Sequence, residues 1–383
     1  MTTLNARSAN IALITGHVAG MIDLAALPIW VDTLIDGYGY RPALGGALPT
    51  SFLLGAVIAS LFLSRRFDKV QARTLAPAGY WVAGACLLAV TVVHGFAIHL
   101  LLHLVGGMAT GAALSVVHGT MGRSDNPHRI FAFAGIGFGL FSLFFLGGVP
   151  QLIGVIGPQG FFYAAGGTML AAAIVTTLLM PQDAVPEKVD LSARFPKAIR
   201  FAIGGIMGMA LIQGLVFSFL VQVGNARGFG EGRVELVLIL LGIVNLFPPA
   251  LAALLERRLS AIRVSRVGPV VQGTFALLIM LSGSFIGYAI PAIFFAAVLI
   301  FTHTFVFGFI ARYDPTGSAV SATPAMLMTG SAIAPLLGGA LVEIFGFGAI
   351  GIFAAIVAFG SYWSFTRAGQ LATRSDNARP MTT

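Results

Sequence analysis

The chain has 383 residues, of which 57% are hydrophobic and only 9% carry a charge. A soluble globular protein has about 25% charged residues, so this chain has too few to cover a surface that faces water. The composition argues against a soluble enzyme, a disordered protein and a nucleic-acid-binding protein, although the formal net charge is +8. The single cysteine, Cys86, lies in an apolar stretch and cannot form an intrachain disulfide.

Apolar runs long enough to cross a membrane follow one another along the whole chain. About 20 apolar residues span the hydrocarbon core of a bilayer as a helix, and continuous apolar runs differ from the alternating pattern of a membrane β-barrel. The sequence therefore predicts an all-α membrane protein with twelve transmembrane helices. The runs lie at residues 10–35, 42–63, 75–93, 96–121, 130–153, 160–180, 199–223, 234–255, 267–286, 288–311, 318–343 and 347–366.

The positions of the basic residues predict how these helices are oriented. If both termini lie in the cytoplasm, 19 of the 22 Lys and Arg residues fall on the cytoplasmic side. Only Arg41, Arg227 and Arg233 then fall on the outer side. Cytoplasmic loops of membrane proteins carry an excess of Lys and Arg. We therefore expect a multi-pass protein of a bacterial-type inner membrane with both termini in the cytoplasm.

A polar, proline-containing segment at residues 182–197 divides the chain into two groups of six predicted helices. We expect an N-terminal bundle at 1–181, a cytoplasmic loop at 182–197, a C-terminal bundle at 198–368 and a cytoplasmic tail at 369–383. The two halves also share a motif at the end of their second helix.

That motif reads LSRR at Leu63–Arg66 and LERR at Leu255–Arg258, 192 positions later. Combined with the central loop and the charge distribution, this repetition indicates an internally duplicated transporter.

Two motifs carry a resemblance to a known family. The loop after the second predicted helix holds an acidic residue, Asp68, followed by Lys69 and Arg73. The fourth predicted helix reads His103-x-x-x-Gly107-x-x-x-Gly111. The first motif resembles the signature Gly-x-x-x-Asp-Arg-x-Gly-Arg-Arg of the major facilitator superfamily, without its glycines and its middle arginine. The second resembles a motif of proton-driven members, with histidine in place of arginine.

The resemblance covers residues 9–368 and implies two pseudo-symmetric six-helix bundles. Such bundles rock about a central cavity that is lined mainly by the first, fourth, seventh and tenth helices. The resemblance also implies an inner gate formed by Asp68, Lys69, Arg73 and Arg123. Asp68 would then lie beneath the start of the eleventh helix, near residues 316–318.

Three ionisable residues in predicted helices are candidates for proton coupling. Asp23 lies in the middle of the first helix, where an ionisable side chain costs roughly 2.5–3.5 kcal/mol on insertion scales and therefore faces other helices or water. His103 occupies the motif position of the fourth helix, and His303 lies between two threonines of the tenth. Histidine titrates near pH 6.5 when unperturbed. For each residue, hydrogen bonding within the packed helices is the alternative role.

Other polar residues in the predicted helices are candidates for solute binding. They are His17, Gln213, Gln222, Asn245 and His303.

Gln213 and Gln222 lie nine residues apart, roughly 180° around a helix, so both cannot face one cavity. Asn245 precedes Pro248 and Pro249, which predict a bend in the eighth helix. His94, His99, His118 and His128 are expected near the loops.

These features favour a secondary active transporter for a small organic solute, with protons as the coupled ion and with the chain acting as a monomer in the bilayer. Import and export stay open, so a drug or metabolite exporter is the alternative. No Lys or Arg is expected deep in the membrane, which argues against an anionic cargo of the kind that family members bind through buried arginines.

A polytopic membrane enzyme and a sensor are distant alternatives. The sequence shows no metal-binding pattern and no nucleotide-binding loop, so no cofactor is expected.

Overall fold

The computed structural model describes residues 3–64, 71–124, 126–181, 195–314 and 323–377. Within these ranges the chain forms helices joined by short connections, and no strand occurs. The prediction of an all-α protein is therefore confirmed.

The helices are numbered here in chain order. They are α1 (Thr3–Gly20), α2 (Ile22–Asp32), α3 (Pro42–Ser64), α4 (Ala72–Ala89), α5 (Phe96–Gly122), α6 (Pro127–Ile156), α7 (Gln159–Leu179), α8 (Lys197–Ser218), α9 (Leu220–Ala226), α10 (Glu231–Val244), α11 (Pro248–Leu255), α12 (Ala261–Leu281), α13 (Phe285–Tyr313), α14 (Thr323–Ala332), α15 (Ala334–Phe345) and α16 (Gly348–Asn377). A π-helical turn, Thr33–Gly37, extends α2.

By length and composition, eleven segments of the described chain are able to cross a membrane. They match eleven of the predicted spans, and the remaining predicted span corresponds to α4, an 18-residue helix. A multi-pass membrane protein is thus confirmed, while the count of twelve and the division into two bundles stay predictions. The ninth predicted span is shifted, because extended residues Ser260 and Ser282 bound α12. The last helix continues to Asn377, beyond the predicted boundary at residue 368.

Three of the candidate spans in the described chain are interrupted helices, one of them at Ile333 between α14 and α15. In the first, Met21 (φ −103°, ψ 15°) separates α1 from α2. The Leu24 amide there bonds the Met21 carbonyl at 3.1 Å, three residues back instead of four. In the eighth predicted span, α10 ends at Val244 and α11 begins at Pro248. Proline lacks the backbone donor that a continuous helix needs, so the bend predicted from the two prolines is confirmed.

Glycines allow the helices around α5 to approach closely. A side chain at Gly107 would overlap the backbone of Phe52 on α3, and one at Gly79 on α4 would meet the Ala109 carbonyl of α5. Small residues at such contacts let backbones pack closely in lipid, where no hydrophobic effect drives helices together. Glycine at these two positions therefore serves helix packing.

Helices α1–α7 contact helices α8–α16. These contacts lie between α3 and both α14 and α15, between α2 and both α8 and α9, and between α6 and α10. They begin at the end of the molecule that contains Arg41 and Glu343, which we call the Glu343 end. Gln151 and Glu235 bond there at 2.8 Å. The contacts continue to about mid-helix, where Gly139 on α6 faces Leu246.

Candidate functional site

Asp23 lies in the first turn of α2, directly after the interruption at Met21, and is only 4% exposed. A helix N-terminus carries unpaired amide groups and about half a positive charge, which stabilises a nearby carboxylate. The interruption thus creates a polar environment for an acid in an otherwise apolar span. A carboxyl group in such a place is able to exist in either protonation state as its access to water changes.

The interruption beside Asp23 also contacts both halves of the chain. Met21 packs against a buried cluster in which Leu53 of α3 and Leu114 of α5 meet Met328 and Ala332 of α14. A change in the geometry around Asp23 would therefore reach the surface at which the two halves meet.

Asp32 is a second acid in the first span, and the sequence interpretation did not single it out. Its Oδ1 accepts a hydrogen bond of 2.7 Å from Nε2 of Gln222, 190 residues away. This bond joins α2 to α9 across the two halves. An acid within an apolar run is the feature of the sequence that could have identified Asp32, as it identified Asp23.

His17 and His118 form a pair between α1 and α5. Nδ1 of His17 lies 2.8 Å from Nε2 of His118, and the ring centroids are 5.0 Å apart. The sequence placed His118 near a loop, but the structure brings it into contact with a candidate residue of the first span.

His103 is fully buried among aromatic side chains. Its Nδ1 donates to the His99 carbonyl at 2.7 Å, and its Nε2 accepts from the indole nitrogen of Trp30 at 3.2 Å. Both ring nitrogens are therefore engaged, and neither bonds Asp23. This arrangement is typical of a packed, neutral histidine.

His303 is half-buried on α13. Nδ1 of His303 donates to the Leu299 carbonyl at 3.1 Å, and its ring lies 4.9 Å from that of Phe307. The bond fixes Nδ1, so Nε2 is the nitrogen through which His303 would contact a solute or a proton.

Tyr40 and His99 form a hydrogen-bonded contact at the Glu343 end. The Tyr40 hydroxyl lies 2.9 Å from Nδ1 of His99, whose Nε2 donates to the Val93 carbonyl at 3.0 Å. Burial raises the pKa of Tyr40 above its usual value, so its hydroxyl keeps the proton that it donates. His99 is only 2% exposed and therefore lies deeper than the sequence suggested.

The two candidate glutamines face different helices, as their spacing predicts. Gln213 is buried and accepts a bond of 3.3 Å from Gln272 of α12, whereas Gln222 faces Asp32 of α2. Asn245 caps the C-terminus of α10 at the bend, and its side-chain oxygen is buried without a hydrogen-bond partner. Only Gln222 of these three is seen to bond across the two halves.

The predicted inner gate is described only in part. Asp68 and Lys69, like residues 316–318, lie outside the described residues. Arg73 in the first turn of α4 and Arg123 at the C-terminus of α5 are both exposed. We call the end of the molecule that holds them the Arg123 end.

At the Glu343 end, α3 and α15 are joined by polar contacts and by close backbone packing. Arg41 forms an ion pair with Glu343, which also accepts a bond of 3.2 Å from the Ala43 amide. The Leu336 amide donates to the Thr50 hydroxyl at 3.0 Å.

A cavity of about 570 Å³ opens among α11, α12, α13 and α16, away from these contacts. Its lining includes Glu256, Thr304 and Arg312 and none of the residues predicted to bind the solute or protons.

The sequence model of the Major Facilitator Superfamily matches residues 12–323. The chain therefore belongs to this superfamily, and it is a transporter and not a membrane enzyme. No curated protein sequence matches the chain significantly.

Solved structures share the fold at low sequence identity. A variant of the nucleoside transporter NupG superposes with a TM-score of 0.71 and 14% identity, covering 94% of this chain and 99% of that one. The human organic anion transporter MFSD10 (TETRAN) gives 0.66 and 13%, with coverage of 94% and 99%. A bacterial homologue of the human lysosomal transporter Spinster, inward-facing and occupied, gives 0.64 and 12%, with coverage of 95% and 93%. At these identities the likeness concerns the fold alone.

Proposed function

We propose that the protein is a proton-coupled secondary active transporter that moves a small organic solute across a bacterial-type inner membrane by alternating access. The observation that carries this proposal is the set of contacts between α1–α7 and α8–α16, which begins at the Glu343 end and extends to mid-helix. Alternating access requires such contacts to form at one end and to break when that end opens.

The proposed cycle also depends on which end of the molecule faces the cytoplasm. The basic residues of the sequence place the Glu343 end outside and the Arg123 end in the cytoplasm. The state described here is then closed toward the outside. Two six-helix bundles, with α4 as the twelfth span, are the arrangement that this cycle needs, and the packing of α4 against α5 and α7 supports it.

Uptake into proteoliposomes under an imposed pH gradient tests the proposal. The purified protein is reconstituted, and labelled nucleosides, neutral metabolites, organic cations and organic anions are presented one at a time. We expect one class to accumulate in the presence of the gradient and to stop accumulating when a protonophore removes it. The sign of the gradient that drives accumulation distinguishes import from export. Equal equilibration with and without a gradient would contradict proton coupling, and no flux of any class would contradict the proposal.

The bond between Asp32 and Gln222 predicts an effect on the closed state. A hydrogen bond contributes about 0.5–1.5 kcal/mol net, so Gln222→Leu is expected to shift the ratio of closed to open molecules at the Glu343 end about two- to tenfold. The measurement is the alkylation rate of a cysteine placed at position 50, which is buried in the closed state.

The matched control is Asp32→Asn, which keeps an oxygen that can accept the bond from Gln222. We expect its effect to be smaller than that of Gln222→Leu. Equal alkylation rates in the parent and in Gln222→Leu would show that this bond does not hold the two halves together.

A further inference from the structure

We propose that His17 and His118 together form a proton-binding site, in which two imidazole rings share the proton that drives transport. The binding site itself follows from the geometry of the pair, while its role in transport rests on the proposed function. It differs from the sites predicted from the sequence, which assigned proton coupling to Asp23, His103 and His303.

The distance between the two rings determines how many protons lie between them. Nδ1 of His17 and Nε2 of His118 are 2.8 Å apart, the length of a nitrogen–nitrogen hydrogen bond. One nitrogen must therefore carry a hydrogen and the other a lone pair. Two lone pairs, or two N–H groups, would repel at this distance. The intact pair thus holds one proton between the rings.

A further proton enters at one of the two outward nitrogens, Nε2 of His17 or Nδ1 of His118. The neutral pair then becomes an imidazole–imidazolium pair, whose hydrogen bond is charge-assisted and about twice as strong as a neutral one. This gain favours the first added proton. A second added proton would place two positive rings in contact, so the pair is suited to binding one proton at a time.

The surroundings leave the pair accessible but shield it in part. Both histidines are half-buried. Phe138 of α6 lies edge-on at 6.5 Å from the ring of His17, and Phe131 lies edge-on at 5.6 Å from that of His118. α6 is also the helix that contacts α10 in the other half, so a charge on the pair would act beside that contact.

Few other ionisable groups of the described chain face the pair. On α4, the Tyr80 hydroxyl donates to the Gly16 carbonyl at 2.6 Å. At the Arg123 end, Arg73 and Arg123 are exposed, and the guanidinium of Arg129 on α6 lies 5.5 Å from the ring of Phe133.

On α1 the other ionisable group with a described side chain is the exposed Arg7, and Asp23 lies beyond the interruption, on α2. At the C-terminus of α5, Arg123 follows His118 by five residues, and His103 is engaged with Trp30. None of these contacts supplies a carboxylate to the two rings. Among the described residues, the two rings themselves are then the groups available to hold the proton.

Two amide substitutions separate hydrogen bonding from proton binding. In His17→Asn the side-chain nitrogen occupies the place of Nδ1, and in His118→Gln it occupies the place of Nε2. Each keeps a polar contact between α1 and α5 but removes a group that can titrate. His94→Gln is the control, because it alters an exposed histidine outside the pair.

Nitrogen-15 NMR of histidine-labelled protein in lipid nanodiscs, from pH 5 to pH 8, tests the pair without any solute. In the parent we expect two rings that share a hydrogen-bonded proton and titrate as a coupled set. The shared-proton signal should vanish in His17→Asn and His118→Gln and persist in His94→Gln. Two rings of the parent that titrate independently, as isolated imidazoles, would overturn the inference.

The transport role is tested in proteoliposomes by the initial rate from pH 5 to pH 9. We expect both pair variants to lose one limb of the pH profile, with at least a tenfold smaller response to an imposed gradient, while His94→Gln keeps the parent profile. Unchanged profiles in both pair variants would overturn the role of the pair. If the parent itself shows no response to a gradient, the proposed coupling fails, and the NMR result alone decides whether the pair binds a proton.

Discussion

Replacing Asp23 with asparagine is expected to abolish accumulation of the solute against its gradient. Asparagine has nearly the same shape as aspartic acid, so it can still accept hydrogen bonds at the start of α2, but it cannot release or bind a proton. Exchange of labelled for unlabelled solute needs no net proton movement and should continue. Accumulation driven by an imposed pH gradient should fall at least tenfold, whereas counterflow in the same vesicles should retain a substantial part of its rate.

The matched control is Asp36→Asn, the same change in the same span at an exposed position. Asp36→Asn should leave both gradient-driven accumulation and counterflow at the rates of the parent protein. Parent-like accumulation in Asp23→Asn would remove this carboxyl from the coupling mechanism. Loss of expression or of a single elution peak would instead identify Asp23 as a residue required for helix packing.

The positions of the spans could be predicted from the sequence because hydropathy reports burial in lipid directly. Eleven predicted spans coincide with helices able to cross a membrane, and the bend at Pro248 follows from the missing backbone donor. The interruption at Met21 was not predicted, because methionine is compatible with a helix and no proline marks the site. Such a break depends on how α1 and α2 pack separately against their neighbours.

The candidate polar residues could be identified, but not their partners. Asp23 was found because a lone acid in an apolar run is conspicuous. His118 was expected near a loop because it lies close to a predicted helix end, and its contact with His17, 101 residues earlier, was not predicted. Pairings of this kind depend on the rotation of each helix about its axis, which hydropathy does not fix. The different partners of Gln213 and Gln222 agree with their helical spacing, although the helix breaks at Phe219 between them, which the sequence did not predict.

In the proposed cycle, the contact between α3 and α15 would decide how firmly the Glu343 end closes. The ion pair between Arg41 and Glu343 has one highly exposed partner, since the Arg41 side chain is 75% accessible. Exposed ion pairs contribute about 0–1 kcal/mol. The backbone packing next to it is tighter. A side chain at Gly46 would overlap the Pro335 carbonyl, and one at Gly339 would overlap the Pro42 carbonyl.

Gly46→Leu is therefore expected to prevent closure of the Glu343 end. Excess volume in a packed contact costs about 1–3 kcal/mol, and here the obstacle is backbone, which cannot change rotamer. That range corresponds to a shift of about 5- to 150-fold from closed to open molecules. A cysteine at position 50, in a protein whose native Cys86 is replaced by serine, should become reactive toward an outside alkylating reagent by the same factor. Active transport should be lost, since the cycle could no longer close toward that side.

Two further variants distinguish blocked closure from general damage to the helices. Gly339→Leu places the same bulk on the partner helix and should reproduce the effect of Gly46→Leu. Gly148→Leu adds the same bulk on α6 at an exposed position with nothing within 4 Å of the added carbon, so it should leave both reactivity and transport unchanged. If the cysteine at position 50 stays protected in both Gly46→Leu and Gly339→Leu, the contact between α3 and α15 adapts to added volume. Closure of the Glu343 end would then rest on the bond from Gln222 to Asp32 and on the contacts of α6 with α10.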